Sequence, residues 1–537
     1  MATPIDDLRA AVGDAAAELR NGAPTGFTLE RPRKAGFGDF STNAAMLLAP
    51  ALKAPPREVA ERLGEGLSAR LGDRVERVEV AGPGFLNLFL ADAWYTAAAA
   101  HVMAAGDAWG SGVAERSERV LVEFVSANPT GPLTAASGRH AAYGDGLARL
   151  LELAGHEVSR EYYFNDAGSQ LIKLGASIRA RARGDEPPQD GYQGEYVAAL
   201  AAQLPGAAER EPEDLAVAGG HLMIEQIKAT LERYRVTYDT WFSERTLHEG
   251  AITRALARVE RDGQSYRSEG ALWLRTTAFG DDEDRVLVRG TGDPTYFAAD
   301  VAYVENKLER GFERLITPLG SDHHGYVGRF KAAMAVAGAD PDRLEIPLLQ
   351  FVHLVDSGER ASMSKRRGDF IMLDDLIDEV GVDATRYFML QRSHDTTIDL
   401  DLDLARRESA ENPVYYVQYA HARIASVLRK AGEERVAAAL DASVEGLELD
   451  PAERELIKKL LAFPAEVAEA ADRRAPHRIA TYALELAQTF TAFYRDCRVV
   501  GAEPEAVESF RIGLCVASKR TIARSLDVLG VSAPETM

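Results

Sequence analysis

The spacing of apolar residues predicts a small separate domain at the start of the chain. One apolar face at helical spacing runs from Ile5 to Leu19 and another from Pro56 to Leu71, and the glycine-rich link AGFGDFSTNAA lies between them. The segment VERVEVAGPGFLNLFL then turns at Gly82 to Gly84, which predicts a pair of antiparallel strands. We therefore expect an N-terminal α+β domain over residues 1–105.

The next part of the chain has the pattern of strand, helix and strand. The β-branched run RVLVEFV at 119–125 is followed by a helix over 139–154 with one apolar face, which ends at Gly155. Val158 to Phe164 has the composition of the second strand. Because such units are right-handed, the turn at 126–138 is expected at the carboxyl edge of a parallel sheet, where ligands bind.

A second unit of the same kind runs from Arg314 to Val355, with strand RLITPLG, a helix from Tyr326 to about Ala337, and strand LLQFVHLV. Two such units predict the halves of one doubly wound parallel sheet. The expected fold is α/β, with a Rossmann-like catalytic domain over residues 106–400.

Two regions have the pattern of helices. A polar, largely helical insertion is predicted at about 170–285, and it ends in the strand-like segment YRSEGALWLRTT. From about residue 401 to residue 537 helical periodicity continues almost without a break, which predicts a C-terminal all-α bundle.

Composition and charge narrow the class of protein. A chain of 537 residues that is 46% hydrophobic has enough apolar residues for several cores. Its two cysteines, Cys497 and Cys515, exclude a disulfide framework and a cysteine-based zinc site. The net charge of −21 argues against indiscriminate coating of nucleic acid. No apolar run is long enough for a membrane span and MATPIDDLRA lacks the layout of a secretion signal, so we expect a cytoplasmic protein.

A basic loop follows the last predicted strand of the sheet. SGERASMSKRRGDFIML, at 357–373, places Lys365, Arg366 and Arg367 among small and flexible residues, which suits contact with a polyphosphate. Three cations alone more often form a solvated turn. Their position after a sheet that has another candidate phosphate turn favours the functional interpretation.

Several segments together resemble a known family. Met363 to Arg366 resembles the "KMSKS" loop of class I aminoacyl-tRNA synthetases. Other segments resemble bacterial arginyl-tRNA synthetase over nearly the whole chain: EFVSANPTGPL, REYYFNDAGSQ, TYFAADVAY, SDHHGYVGRFKAA, VYYVQYAHAR and the ending LDVLGVSAPETM. The resemblance implies ATP-dependent activation of L-arginine to its adenylate, followed by transfer to the 3′ end of tRNA(Arg).

The resemblance also implies an arginine pocket. Tyr296 and Asp300 are four residues apart and share one face of the predicted helix, where Asp300 is the expected partner of the guanidinium group. Glu123, Ser126 and Asn128 are expected at the α-ammonium and carboxylate ends of the substrate. As alternatives, Asn128 before Pro129 could only shape a turn, and Glu123 in an apolar strand would need a cationic partner.

The same resemblance implies an ATP site. Magnesium is expected to arrive bound to ATP, without a structural metal in the protein. A metal site at the adjacent Asp322 and His323 is the rival, but no third ligand follows at helical spacing. The expected ATP-binding residues are Pro132, Gly138, Asp322, His323, His324, Gly325 and Met363, and the expected catalytic residues of the basic loop are Ser364, Lys365 and Arg366.

The chain departs from the family at the turn after GPL. The family's "HIGH" signature supplies two histidines that donate to the phosphates, whereas this chain has Thr134-Ala135-Ala136-Ser137, and Ser362 replaces the first lysine of "KMSK". Losing two preorganised donors without replacement removes roughly 4 to 8 kcal/mol of transition-state stabilisation. The hypothesis is that Thr134, Ser137 and His140 form a relocated donor set, with His140 replacing a lost histidine. The alternative is that His140 only packs or faces solvent and that Ser137 is only an N-cap.

The terminal domains are expected to bind tRNA. Resemblance makes residues 1–105 a domain that contacts the corner of the tRNA, and makes 401–537 the anticodon-binding domain. Aromatic residues with interleaved cations suit unstacked bases and phosphates, although tyrosines in helices are often core residues. The candidates are Phe37, Asp39 and Phe40 in the first domain and Tyr416, Tyr419 and Arg423 in the second.

Two other functions stay open at this point. One is a catalytically silent homologue that binds arginine tRNA or arginine. The other is an enzyme that adenylates arginine for an acceptor other than tRNA, although the full C-terminal bundle argues against it. For an arginyl-tRNA synthetase we expect a monomer.

Overall fold

The computed structural model describes residues 3–20, 26–32, 34, 36–166, 168–360 and 371–537. The N-terminal domain has the predicted helices and hairpin. Its four strands form an antiparallel sheet in the order β1-β2-β4-β3. The elements are α1 Pro4–Leu19, β1 Leu29–Glu30, β2 Phe40–Thr42, α2 Ala44–Leu52, α3 Pro56–Leu71, β3 Val75–Ala81, β4 Phe85–Leu90 and α4 Asp92–Ala105.

The first strand-helix-strand unit is also confirmed. It consists of β5 Arg119–Glu123, α5 Ala135–Ala154 and β6 Glu157–Phe164. Helix α5 begins four residues earlier than predicted, because Thr134 caps it and its small side chains allow close packing. Gly155 ends it in the left-handed conformation, with φ 110°.

The predicted insertion contains one strand of the main sheet, which corrects the sequence analysis. Thr240–Ser243 forms β7 and pairs in parallel with β6. All four of its residues are half-buried, and apolar and polar residues do not alternate along it. The elements of this region are α6 Ser169–Arg183, α7 Glu195–Gln203, α8 Pro212–Arg233, β7, α9 Arg245–His248, α10 Ala251–Arg261, β8 Ser265–Ser268, β9 Ala271–Leu274 and β10 Arg285–Val288.

The second unit has two strands that are each split. The expected strand at 314–320 breaks around Pro318, which has no N–H to donate, and the strand at 348–355 breaks at Gln350–Phe351. The elements are α11 Tyr296–Glu309, β11 Arg314–Ile316, β12 Leu319–Gly320, α12 Tyr326–Val336, β13 Leu344–Glu345, β14 Leu348–Leu349, β15 Val352–Asp356, β16 Glu359–Arg360, α13 Leu373–Leu390, β17 Ile398–Asp401 and α14 Leu402–Arg406.

These strands build a parallel sheet in the order β13-β11-β5-β6-β7. The first two strands come from the second unit and the next two from the first unit, so the strand order reverses between β11 and β5. That arrangement confirms the doubly wound α/β fold and places the ligand-binding crevice at the carboxyl ends of β5 and β11.

The C-terminal region is a helical bundle, as predicted. Its helices are α15 Pro413–Ala431, α16 Glu433–Leu440, α17 Pro451–Asp472, α18 His477–Asp496 and α19 Glu505–Leu529. Helix α5 packs against α13, α17 and α19, which joins the sheet to the bundle. Cys497 and Cys515 are buried free thiols. Among the described helices, none combines the length and apolar character that crossing a bilayer requires.

Candidate active site

A cavity of about 620 Å³ opens at the carboxyl ends of β5 and β11. The end of β5 and the first two turns of α5 form one wall, and segments 317–323 and 349–353 form the others. The cavity is therefore at the position expected for a nucleotide in a doubly wound sheet. Among the predicted site residues it is lined by Glu123, Ser126, Ser137, His140, Asp322 and His323.

The backbone on both sides of Thr134 is fixed by a short pairing with the chain near α13. The amide of Ala135 donates to Ile371 O at 3.0 Å, and the amide of Leu373 donates to Leu133 O at 2.9 Å. A Cβ at Gly138 would meet Leu373 Cδ1 at 2.7 Å, so any larger residue there would require the Leu373 side chain to move. Gly138, which we expected at the ATP, is buried and packs the helix against α13.

Thr134, and not Ser137, caps α5. The Thr134 hydroxyl accepts a long hydrogen bond from Ser137 N at 3.4 Å and lies 3.3 Å from Ser137 Oγ. The alternative that Ser137 serves as the N-cap is therefore wrong. Ser137 itself lines the cavity.

His140 lies one turn beyond Ser137 and also lines the cavity, so the predicted shared face is present. Burial of its ring, with Arg139 nearby, lowers the pKa of His140 to about 4. At neutral pH the imidazole is therefore uncharged, and it can donate one hydrogen bond without bringing a positive charge.

The loop after β5 has a strained backbone. Val125 and Ser126 both have positive φ, 67° and 44°, a region that L residues with side chains rarely adopt. This conformation returns Ser126 Oγ toward Glu123, to which it donates at 3.0 Å, and the same oxygen accepts from Tyr163 N at 3.2 Å. The strain therefore brings two expected arginine-binding residues together.

Glu123 has the cationic partner that its burial requires. Lys307 on α11 donates to its carboxylate, and both residues are buried. No local pattern predicts this pair, because the two residues are far apart in the chain. Asn128 lies farther out on the loop, where its Nδ2 donates to Gln170 Oε1 at 2.8 Å.

An acidic cluster lies beside these residues. Burial and the neighbouring carboxylates Glu244 and Glu123 raise the pKa of Asp300 to about 7. Glu244 is only 5% exposed, accepts a hydrogen bond from Tyr163, and has a pKa that burial raises as well. Carboxylates whose ionisation is disfavoured by burial and by like charges nearby are a favourable site for a guanidinium group.

A second cavity, of about 370 Å³, adjoins this cluster. Glu244 and Tyr296 line it, and Tyr296 is 56% exposed on the first turn of α11. Glu244 follows β7 directly at the carboxyl edge of the sheet and is not among the residues predicted from the sequence. A carboxylate directly after a predicted strand would have indicated a site residue, but β7 itself was not predicted.

The segment 321–325 forms a short turn before α12. Asp322 and His323 line the large cavity, and His323 Nε2 lies 3.5 Å from the Asp322 carboxylate. His324 and Gly325 are exposed, and His324 Nδ1 lies 3.2 Å from Ser321 O. Over the described part of the chain, no three histidine, cysteine or carboxylate residues are grouped as metal ligands. Pro132 is half-buried before the turn.

Most of the basic loop lies outside the described part of the chain. Met363, Ser364, Lys365 and Arg366 lie outside the described residues, as do Ser362 and Arg367. The described chain resumes at Ile371, directly beside Thr134.

The structure corrects the prediction for two of the three residues expected to contact tRNA in the N-terminal domain. Phe40 is 4% exposed and packs against Trp94, so its ring belongs to the domain core. The Asp39 carboxylate accepts from Leu90 N at 2.8 Å and from Lys458 Nζ at 2.9 Å, which ties the domain to α17. Phe37 remains available, because it is 47% exposed.

The bundle presents one aromatic and cationic surface. Tyr419 is 40% exposed and stacks on Tyr415 with ring centroids 6.1 Å apart. The guanidinium of Arg423 lies over the Tyr419 ring and donates to its hydroxyl at 2.6 Å. Tyr416 instead turns toward α18, where its hydroxyl donates to Thr491 Oγ at 3.2 Å. Tyr416 is half-buried, and its contact with tRNA stays a prediction.

Comparison with known proteins shows which protein families three parts of the chain resemble. Three protein-family models match: the arginyl tRNA synthetase N terminal domain at residues 6–90, the class I (R) tRNA synthetase catalytic domain at 218–425, and the DALR anticodon binding domain at 417–537. The matches together include the N-terminal domain, much of the sheet domain and the bundle.

Similar proteins match over the full length. An arginine–tRNA ligase of Frankia alni is 47% identical over 99% of both chains, and one of Bacillus subtilis is 42% identical over 99% of this chain and 98% of its own. The solved arginyl-tRNA synthetase of Thermus thermophilus is 25% identical, with a TM-score of 0.74 over 99% of both chains. The likeness therefore extends over both terminal domains and the sheet domain.

Proposed function

Because the chain belongs to the arginyl-tRNA synthetase family, we propose that the residues around its large cavity and acidic cluster hold ATP and arginine for adenylate formation. The protein is a class I arginine–tRNA ligase, and its substrates are ATP, arginine and tRNA. The observation that carries the proposed site is a cavity that is lined both by Glu123, a member of the acidic cluster, and by the α5 turn.

The guanidinium end of arginine is proposed to bind between Asp300 and Glu244, with Tyr296 beside it. A guanidinium is planar and permanently charged, and its fork of donors matches carboxylate oxygens. The other end of arginine is proposed to meet Glu123, Ser126 and Asn128, which lie on the strained loop after β5. The substrate carboxylate would then point toward the first turns of α5.

At the phosphate end of the site, weak hydrogen-bond donors near the start of α5 are proposed to contact the ATP. As an arginine carboxylate oxygen bonds to the α-phosphorus, the bond to the bridging oxygen breaks and pyrophosphate leaves with its charge. Ser137 and the neutral His140 donate hydrogen bonds to the α-phosphate, with the Thr134 hydroxyl behind them. Lys365 and Arg366 are proposed to bring the positive charge that these donors lack.

The second step transfers arginine to tRNA. A hydroxyl of the terminal ribose attacks the acyl carbon, and AMP leaves. We propose that residues 1–105 contact the body of the tRNA through Phe37, and that residues 401–537 bind the anticodon through Tyr419 and Arg423. Mg²⁺ is proposed to enter as the ATP complex, because phosphate oxygens are its preferred ligands. We also propose a monomer that works in the cytoplasm.

A single assay tests this proposal. The protein is incubated with ATP, labelled arginine and arginine tRNA, and both AMP and charged tRNA are measured. We expect both products. Binding of tRNA without AMP would instead support the silent homologue, and AMP formation without charged tRNA would support another acceptor.

The affinity for arginine is expected to depend on pH. Asp300, with its pKa of about 7, is protonated below that pH in the free protein, and arginine binding must release this proton. KM for arginine should therefore rise about tenfold per pH unit below 7 and level off above it. Glu244, whose pKa is also raised, titrates together with Asp300, so the profile belongs to the cluster. KM for ATP, measured at the same pH values, is the control.

Replacing Tyr419 by alanine is expected to raise KM for tRNA by about tenfold, because a base stacked on an aromatic ring contributes roughly 1 to 3 kcal/mol. The turnover number should change little. Tyr416→Phe is the matched control, since it removes only the hydroxyl that bonds Thr491. Equal KM values for the two variants would refute the proposed anticodon surface.

A further inference from the structure

Arg139 is an unusual residue for the first turns of a helix that faces a polyphosphate. It lies between Gly138 and His140, yet it is only 2% exposed. Burial lowers its pKa to about 10, which keeps it charged at neutral pH. Its guanidinium donates to five backbone carbonyls: Gln350 at 2.6 Å, Phe351 at 3.2 Å, Ser393 at 3.0 Å, His394 at 3.2 Å and Thr396 at 2.7 Å.

Two of these carbonyls belong to the cavity wall formed by segment 349–353. Gln350 and Phe351 lie where the chain leaves β14 and before it enters β15, and both line the cavity. The Arg139 guanidinium donates hydrogen bonds to these two carbonyls, which lie in the gap between β14 and β15. Arg139 therefore links α5, the helix that carries Ser137 and His140, to the cavity wall at 349–353.

The distance between the Ser137–His140 turn and the wall at 349–353 is important because of the kind of donors that the turn carries. The attraction between a charge and a phosphate falls slowly with distance. A hydrogen bond from a hydroxyl or a neutral imidazole is lost within a few tenths of an ångström beyond its normal length. Ser137 and His140 are uncharged donors. ATP bound against the wall at 349–353 must therefore be held at a narrowly defined distance from α5.

We propose that Arg139 is a positioning residue for adenylate formation, which sets the spacing between the Ser137–His140 turn and the cavity wall at 349–353. The inference rests on the proposed function of that turn. Arg139 touches no substrate in this account and acts through the two donors.

A second buried arginine provides a matched control. Arg386 on α13 is fully buried, and its guanidinium donates to Leu529 O at 2.8 Å, to Tyr234 O at 3.0 Å and to Asp145 on α5 at 2.5 Å. It therefore anchors the same helix, but at Asp145, more than one turn beyond His140. Both arginines support the fold, and only Arg139 is bonded to the cavity wall.

The test compares Arg139→Lys with Arg386→Lys. Lysine keeps the charge, but its single ammonium cannot reach five carbonyls. For Arg139→Lys we expect kcat for arginyl-tRNA formation to fall roughly 10- to 100-fold, with KM for arginine within about twofold, because the arginine pocket lies on other elements. For Arg386→Lys we expect a lower melting temperature and, well below it, a change in kcat of less than about threefold.

Arg139→Gln is a second variant, which retains one amide donor and should have a larger kcat loss than Arg139→Lys. Equal kcat losses in Arg139→Lys and Arg386→Lys at equal distance below their melting temperatures would overturn the inference. So would failure of both Arg139 variants to fold while Arg386→Lys folds, because Arg139 would then serve stability alone. Absence of charging by the unmodified protein would instead refute the proposed function.

Discussion

Asp300→Asn is expected to lower kcat/KM for arginine by about 10³-fold, because removing one partner of a buried ion pair costs roughly 3 to 5 kcal/mol. Asparagine keeps the shape of the side chain but has no negative charge to offer the guanidinium group. The effect should appear mainly in KM for arginine, since Asp300 is proposed to bind the substrate and lies away from the reacting phosphate. Steady-state charging of tRNA at varied arginine concentrations measures both constants.

The same substitution should stabilise the free protein. Burial and the charges of Glu244 and Glu123 disfavour ionised Asp300, so a neutral asparagine removes a repulsion. A higher melting temperature together with the lost arginine affinity would separate a binding role from a structural one. Tyr296→Phe is the milder control and should cost about tenfold or less, because it removes one hydroxyl. An unchanged KM for arginine in Asp300→Asn would refute the proposed pocket.

Much of the fold follows from local patterns. The helix predicted at Pro56 to Leu71 has those bounds in the structure, and the hairpin turns where its glycines predict. Strand β7 could not be predicted, because all its residues are half-buried and no alternation marks it. The break at Gln350–Phe351 could not be predicted either, because its carbonyls bond Arg139, more than two hundred residues earlier.

The candidate site could be predicted less completely. The four-residue spacing of Tyr296 and Asp300 places both on α11, as expected. Lys307 and Glu244 were missed, because a contact between distant segments leaves no local pattern. The assignments of Phe40 and Asp39 failed for the same reason, since their neighbours Trp94 and Lys458 lie on other helices. Resemblance supplied a role for these residues, and only packing showed that their side chains are already engaged.

His140→Ala is expected to lower kcat for arginyl-tRNA formation by about 10²-fold, the usual cost of removing one preorganised donor to a developing charge. KM for arginine should stay within about twofold, because His140 lines the cavity on α5 and the arginine pocket lies on β5, α9 and α11. His221→Ala is the composition-matched control, since that histidine is exposed on α8. The pH profile should not change near neutrality, because the low pKa of His140 keeps it neutral there.

A reciprocal change tests whether the donor set is relocated. Introducing Thr134→His and Ser137→His into the His140→Ala protein restores imidazoles at the positions where the family has them, and we expect at least a tenfold recovery of kcat. The double substitution in the unmodified protein should give a smaller gain, because the α-phosphate there already has donors. A kcat for His140→Ala equal to that of the unmodified protein would show that the turn acts through Ser137 and the basic loop alone, and the imidazole would then have no part in the reaction.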